Sequence, residues 1–349
     1  MTRLRRALAA IVGLGLLVAG CTAASHLKGI QPSPVPASSH MMMPQPAQPR
    51  SRMQLGIDID AYTYPGQDIA AAAAADVAYI RSLNANAVSV SFPFFMSGPN
   101  ADRVYADSAT PTPSQLAIIV RTAKQAGLYV SIRPLLDEGG LGQSRVHWAP
   151  AKLRTWFASY RHFLMPYALM AQREHVSEFI VGAELSGFLS SPQWNTLDAA
   201  LRRHYHGTLG CANNWSIVPG SCGRGVIETV DSYHPQHPPL LVGWEAYDSE
   251  LPPHTVVTEV GIDAVRGAFR RPYQHHWSTV TLDPQVQARW FTAACGAAVA
   301  THLGGIYFWS LGLSDRVAGP TVAQQGYWAH SAGARAISRC FGSSKGSGL

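Results

Sequence analysis

The sequence predicts a single (β/α)₈ barrel. Short apolar runs rich in β-branched residues alternate with longer helix-period segments from residue 54 onward. Two of those runs end on a carboxylate: F-I-V-G-A-E, closing on Glu184, and T-V-V-T-E-V-G, carrying Glu259. Apolar strands of this kind are buried on both faces, as in a parallel sheet covered by helices. Polar residues gathered where the strands run out mark the end of a barrel that carries its site.

The elements follow in order. Residues 55–60 (L-G-I-D-I-D) read as a first strand with Asp58 and Asp60 at its end. Asp68 caps a helix through the six alanines at 70–75 to about residue 83. Residues 85–92 form a second strand, and 113–126 a helix opened by Pro113 and closed by Gly127. Residues 128–134 are a third strand, delivering Arg133. The longest helix, 150–173, repeats Leu153, Trp156, Phe157, Tyr160, Phe163, Leu164 and Tyr167 on one apolar face, with Pro166 as an expected kink.

The strand bearing Glu184 comes next, then a helix over 192–204 and a fifth strand over 208–215, ending on Asn214 and Trp215. Residues 226–233, ending on Tyr233, are a sixth strand, and 256–260 a seventh. The segment between these two reads as shortened. Asp283 and Pro284 open a helix to about residue 300. Residues 305–310 form an eighth strand carrying Trp309, and 322–340 a closing helix. Residues 342–349 read as a flexible tail.

Composition agrees with a large core, since 47% of the 349 residues are hydrophobic and only 14% charged. The N-terminus reads as a targeting segment: Arg3, Arg5 and Arg6 precede an apolar stretch over 7–18 that is short for a membrane span. It ends L-V-A-G-C, which resembles a bacterial lipobox. Residues 1–20 are therefore expected to be removed and Cys21 lipidated, anchoring the protein on the outer face of a bacterial cell membrane. From Cys21 the chain holds 24 basic against 21 acidic residues, too small an excess to suggest a nucleic-acid partner. Residues 22–53 contain six prolines and no acidic residue, and read as a disordered spacer. The folded domain is expected over 54–341 as a monomer.

Four further cysteines in an exported protein suggest two bridges. Cys211 and Cys222 flank a Pro/Gly loop and are the obvious local pair, which leaves Cys295 and Cys340 to tie the last two helices together.

The strand ends nominate Asp58, Asp60, Arg133, Glu184, Asn214, Trp215, Tyr233, Glu259 and Trp309 as the site. Two neighbouring carboxyl groups suit glycoside cleavage, in which one must donate a proton and the other attack or activate water. Trp and Tyr rings give sugars a stacking surface. No cofactor is expected. A glycan-binding protein without catalysis, and a metal-dependent hydrolase built on Asp58, Asp60, His234 and His237, are the alternatives; no Cys/His spacing supports zinc.

The order and spacing of F-I-V-G-A-E-L (179–185), C-A-N-N-W (211–215), V-V-T-E-V-G (256–261), D-P-Q-V-Q-A-R-W-F (283–291) and G-G-I-Y-F-W-S (304–310) resemble glycoside hydrolases of clan A. Within it they are most similar to family 113, the β-mannanase type. The resemblance implies a retaining enzyme acting on a β-linked hexose polymer, mannan by analogy. It assigns Glu184 as acid/base and Glu259 as nucleophile, with Tyr233 bonded to the nucleophile and Trp309 as platform where the bond breaks. Ala183 stands where many clan members carry Asn.

Overall fold

A computed structural model of the chain describes residues 52–216, 222–313 and 319–346. The leader, Cys21 and nearly all of the expected spacer lie outside them. Eight parallel strands close into a barrel in sequence order: β1 (Gln54–Asp60), β2 (Ala87–Phe94), β3 (Tyr129–Leu136), β4 (Glu178–Ala183), β5 (Thr208–Asn214), β6 (Ile227–Asp231), β7 (Val256–Val260) and β8 (Gly305–Gly312). β8 pairs back onto β1, so no edge is left exposed.

The helices around it are α1 (Ile69–Ser82), α2 (Pro113–Gln125), the single turn α3 (Glu138–Leu141), α4 (Leu153–Arg173), α5 (Gln193–Leu201), α6 (Leu240–Glu250), α7 (Pro284–Ala300) and α8 (Ala332–Gly346). Their starts are written locally. The Asp68 carboxylate accepts from Ala71 N–H at the head of α1. Thr112 and Gln115 form a reciprocal capping box on α2, with Pro113 inside it. Asp283 caps α7 ahead of Pro284.

α4 shows how the barrel is clad. Trp156, Phe157, Tyr160, Phe163, Leu164 and Tyr167 are buried against the sheet, and the helix continues through Pro166. The phenols stay partnered: Tyr160 donates to the Val181 carbonyl at 2.9 Å and Tyr167 to that of Pro111 at 2.8 Å. Trp156 packs edge-on against Phe188 and Trp194, so truncating it to Ala costs about 3–5 kcal/mol. Gly182 is required here, because a β-carbon would lie 2.9 Å from the Trp194 ring.

The structure corrects three expectations. The segment between β6 and β7 is not short of structure, since it holds the 11-residue α6. Leu241 and Val242 of that helix face solvent, which hides its period from the sequence. The closing helix begins at Ala332 rather than 322, after an irregular stretch with Gly326 and with His330 at positive φ. It also runs on through Gly346, into the expected tail. Both disulfides are as the sequence suggests: Cys211–Cys222 behind β5, and Cys295–Cys340 between α7 and α8.

Candidate active site

The carboxyl ends of the strands surround a cavity of about 680 Å³ lined by Glu184, Glu259, Asn214, Tyr233, Trp309 and Arg145, among others. A second lobe of about 330 Å³ shares Asp60, Tyr233, His275 and Trp309 with it and adds Asp263. Glu184 and Glu259 both line the first lobe; neither lines the second.

Glu184 sits one residue past β4. Its backbone is left-handed (φ +53°), an unfavourable state for a non-glycine residue, and is held there by its N–H donating to the Ala212 carbonyl at 2.9 Å. Its carboxylate accepts from Asn214 Nδ2 at 2.6 Å and Arg145 Nη2 at 2.7 Å. Asn214, at the end of β5, cannot turn away, because its own Oδ1 accepts from both Ser216 N–H and Oγ. The acidic group is therefore fixed by two neighbouring elements.

Glu259 lies inside β7 and is only 2% exposed. Tyr233 Oη, just beyond β6, donates to its Oε2 at 2.9 Å, and Arg133 Nη2 of β3 lies 2.8 Å from Oε1. The same Nη2 donates to Asp231 of β6 at 2.7 Å, and Thr258 Oγ1 donates to the other Asp231 oxygen at 2.8 Å. Burial pushes the Glu259 carboxyl well up, with Asp231 and Glu184 adding to the effect while Arg133 and Arg145 oppose it. Asp231 is raised for the same first reason, burial, with Arg133 against it. Burial works against the charge of Arg133, but Asp231 and Glu259 outweigh it and keep the guanidinium protonated.

Three carboxyl groups (Asp231, Glu259, Glu184) thus face two guanidiniums (Arg133, Arg145). A cavity holding two carboxyl groups and an aromatic wall is equipped for acid-assisted displacement at a sugar carbon.

Of the residues nominated by the sequence, Asp60, Glu184, Asn214, Trp215, Tyr233, Glu259 and Trp309 line the cavity. Asp58 and Arg133 do not. Both are completely buried beneath it, because inward side chains of the lower strand positions fill the barrel rather than reach its mouth. Arg133 acts on Glu259 from below, and Asp58 accepts from Ser91 Oγ at 3.0 Å. Trp215 stacks on Tyr273 with centroids 6.1 Å apart, forming part of the wall. His234 packs against Trp215 and Tyr247, and among the described residues no group of three or more His, Cys, Asp or Glu could hold a metal ion.

Sequence reasoning missed Asp231, Arg145, Tyr273 and His275. Asp231 was within reach as a strand-end acid two residues before Tyr233. Arg145 stands in the irregular stretch after α3, where no pattern marks it.

The fold is shared with known proteins. The model for Glycoside Hydrolase Family 113 matches residues 62–216. A solved GH113 β-1,4-mannanase superposes with a TM-score of 0.68 at 17% identity, over 83% of this chain and 99% of that one. The GH113 β-mannanase AaManA from Alicyclobacillus acidocaldarius gives 0.68 at 19%, over 84% and 98%. A GH5_18 protein from Streptomyces cattleya gives 0.54 at 15%, over 84% and 81%. No curated protein matches the chain. The chain thus has the (β/α)₈ fold of these enzymes, and over residues 62–216 it is similar to glycoside hydrolase family 113.

Proposed function

We propose that the protein is a retaining glycoside hydrolase that cleaves β-linked hexose chains, with β-mannan the substrate by analogy to the mannanases it resembles. The observation that carries the reading is the presence of Glu184 and Glu259 on one cavity, from the ends of β4 and β7, with Tyr233 bonded to the second.

In the first step Glu259 Oε2 attacks the anomeric carbon while the bond from that carbon to the leaving oxygen breaks. Glu184 passes its proton to that oxygen. The glycosyl–Glu259 ester is then hydrolysed: Glu184 takes a proton from water, the water oxygen bonds to the anomeric carbon, and Glu259 departs as a carboxylate. Two inversions give net retention. Tyr233 steadies Oε2 before attack, and Trp309 offers its face to the sugar. The leaving group lies on the Glu184 side, toward Arg145 and Trp215.

Variants test this directly. Glu259→Ala should lose turnover by about 10⁴-fold or more, and azide should return it with inverted product. Glu184→Ala should fail most on poor leaving groups, and azide should give retained product. Equal loss on all leaving groups in both variants, with no azide product, removes the assignment. The lipobox reading extends the proposal to a membrane-anchored enzyme working outside the cell. Cys21→Ser should then release the protein from the membrane fraction, and an unchanged distribution rejects the anchor.

A further inference from the structure

β6 and β7 pair in register so that Asp231 lies opposite Glu259. Asp231 has no exposed surface and cannot touch a substrate. Both carboxylates reach the same nitrogen, Arg133 Nη2, at 2.7 and 2.8 Å, but only the Asp231 contact has hydrogen-bond geometry. Among the described residues none gives Glu259 Oε1 a hydrogen bond. Asp231 is locked in place by Thr258, the chain neighbour of Glu259.

We propose that Asp231 is a positioning residue that takes the directed hydrogen bond of Arg133, and so leaves Glu259 a more basic and more strongly attacking carboxylate than a simple Arg–Glu pair would. The proposal rests on the double-displacement reading above. A carboxylate held end-on by a guanidinium has its lone pairs and charge spoken for. Dividing that cation between two anions preserves its placing effect on Glu259 and weakens its quenching effect. The other groups facing Glu259 are Tyr233 beyond β6, Glu184 beyond β4 and Arg145 after α3, with Asp58 of β1 acting on Arg133 from below. Removing the Asp231 charge hands the whole of Arg133 to Glu259, and burial and Glu184 are left to hold its carboxyl up.

The test is a carbon-13 NMR titration of the Glu259 δ-carboxyl in the full chain, assigned with Glu259→Gln, for the native protein and Asp231→Asn. The variant should titrate about one pH unit lower, or more. The acid limb of kcat/KM on an aryl β-glycoside with a good leaving group should move with it, and the plateau should fall. An unmoved titration in a variant that melts like the native protein overturns the proposal. Should Asp231→Asn fail to fold, Thr258→Val removes the hydroxyl that Asp231 shares with Thr229 and the Val230 carbonyl, keeps the Asp231 charge, and should move the titration the same way by less; no movement there also overturns it. A moved titration in a protein that hydrolyses no aryl glycoside removes the double-displacement reading and leaves the division of charge standing.

Discussion

Asp58 offers a test that needs no substrate. It is completely buried, and burial foremost raises its carboxyl to about 8; Asp60 adds to the rise, while Arg133, Ser89 and Ser91 oppose it. In the unfolded chain the same group titrates near 3.8. Between those two values the folded protein holds a proton that the unfolded chain has released. The sign follows from linkage: the folded pKa is raised, so the stability this group supplies is fully present below pH 3.8 and is lost as pH climbs through 8. The slope is about 1.4 kcal/mol per pH unit, or about 2.7 kcal/mol between pH 5 and pH 7. Asp58→Asn keeps the shape and an acceptor for Ser91 but cannot titrate. Urea denaturation of both proteins from pH 5 to 8 is the assay. Asp248, whose burial raises it to about 8, is shared by both proteins and cancels in the difference. The stability difference between the two proteins should shift steadily in favour of the variant, by about 2.7 kcal/mol from pH 5 to pH 7. A difference that stays flat, or that favours the native protein at high pH, refutes the account of a buried neutral acid under the site.

Two further outcomes follow from the same geometry. Cys295–Cys340 closes 45 residues of chain and Cys211–Cys222 closes 11, so replacing the first pair with Ala should cost about 4 kcal/mol and the second about 3; denaturation midpoints in the reverse order would contradict the chain-entropy argument. Trp309→Ala removes the indole that, with the rings of Tyr233 and His275, borders both lobes of the cavity, and kcat/KM on an oligosaccharide should fall by about tenfold or more, read from initial rates, with stability little changed.

The barrel itself could be read from the chain. Strands buried on both faces are largely apolar, and three helix starts are marked locally, by Asp68, by Pro113 and by Asp283 with Pro284. The local rules also nominate Glu184 and Glu259, because a parallel barrel presents its strand ends together. Where the local signal is weak the reading slipped: α6 turns Leu241 and Val242 outward, and the stretch before α8 is apolar but irregular.

The sequence by itself determined which residues stand at the strand ends; only the closed barrel decided how deep each one sits. Depth depends on register around the whole ring, which no local pattern carries. It sends Asp58 and Arg133 below the floor and lifts Asp60 and Trp309 to the wall. It also makes neighbours of residues far apart in the chain, bringing Asp231 beside Glu259 on one guanidinium and Arg145 onto Glu184. Those pairings set the charge of the site, and they exist only once the barrel has closed.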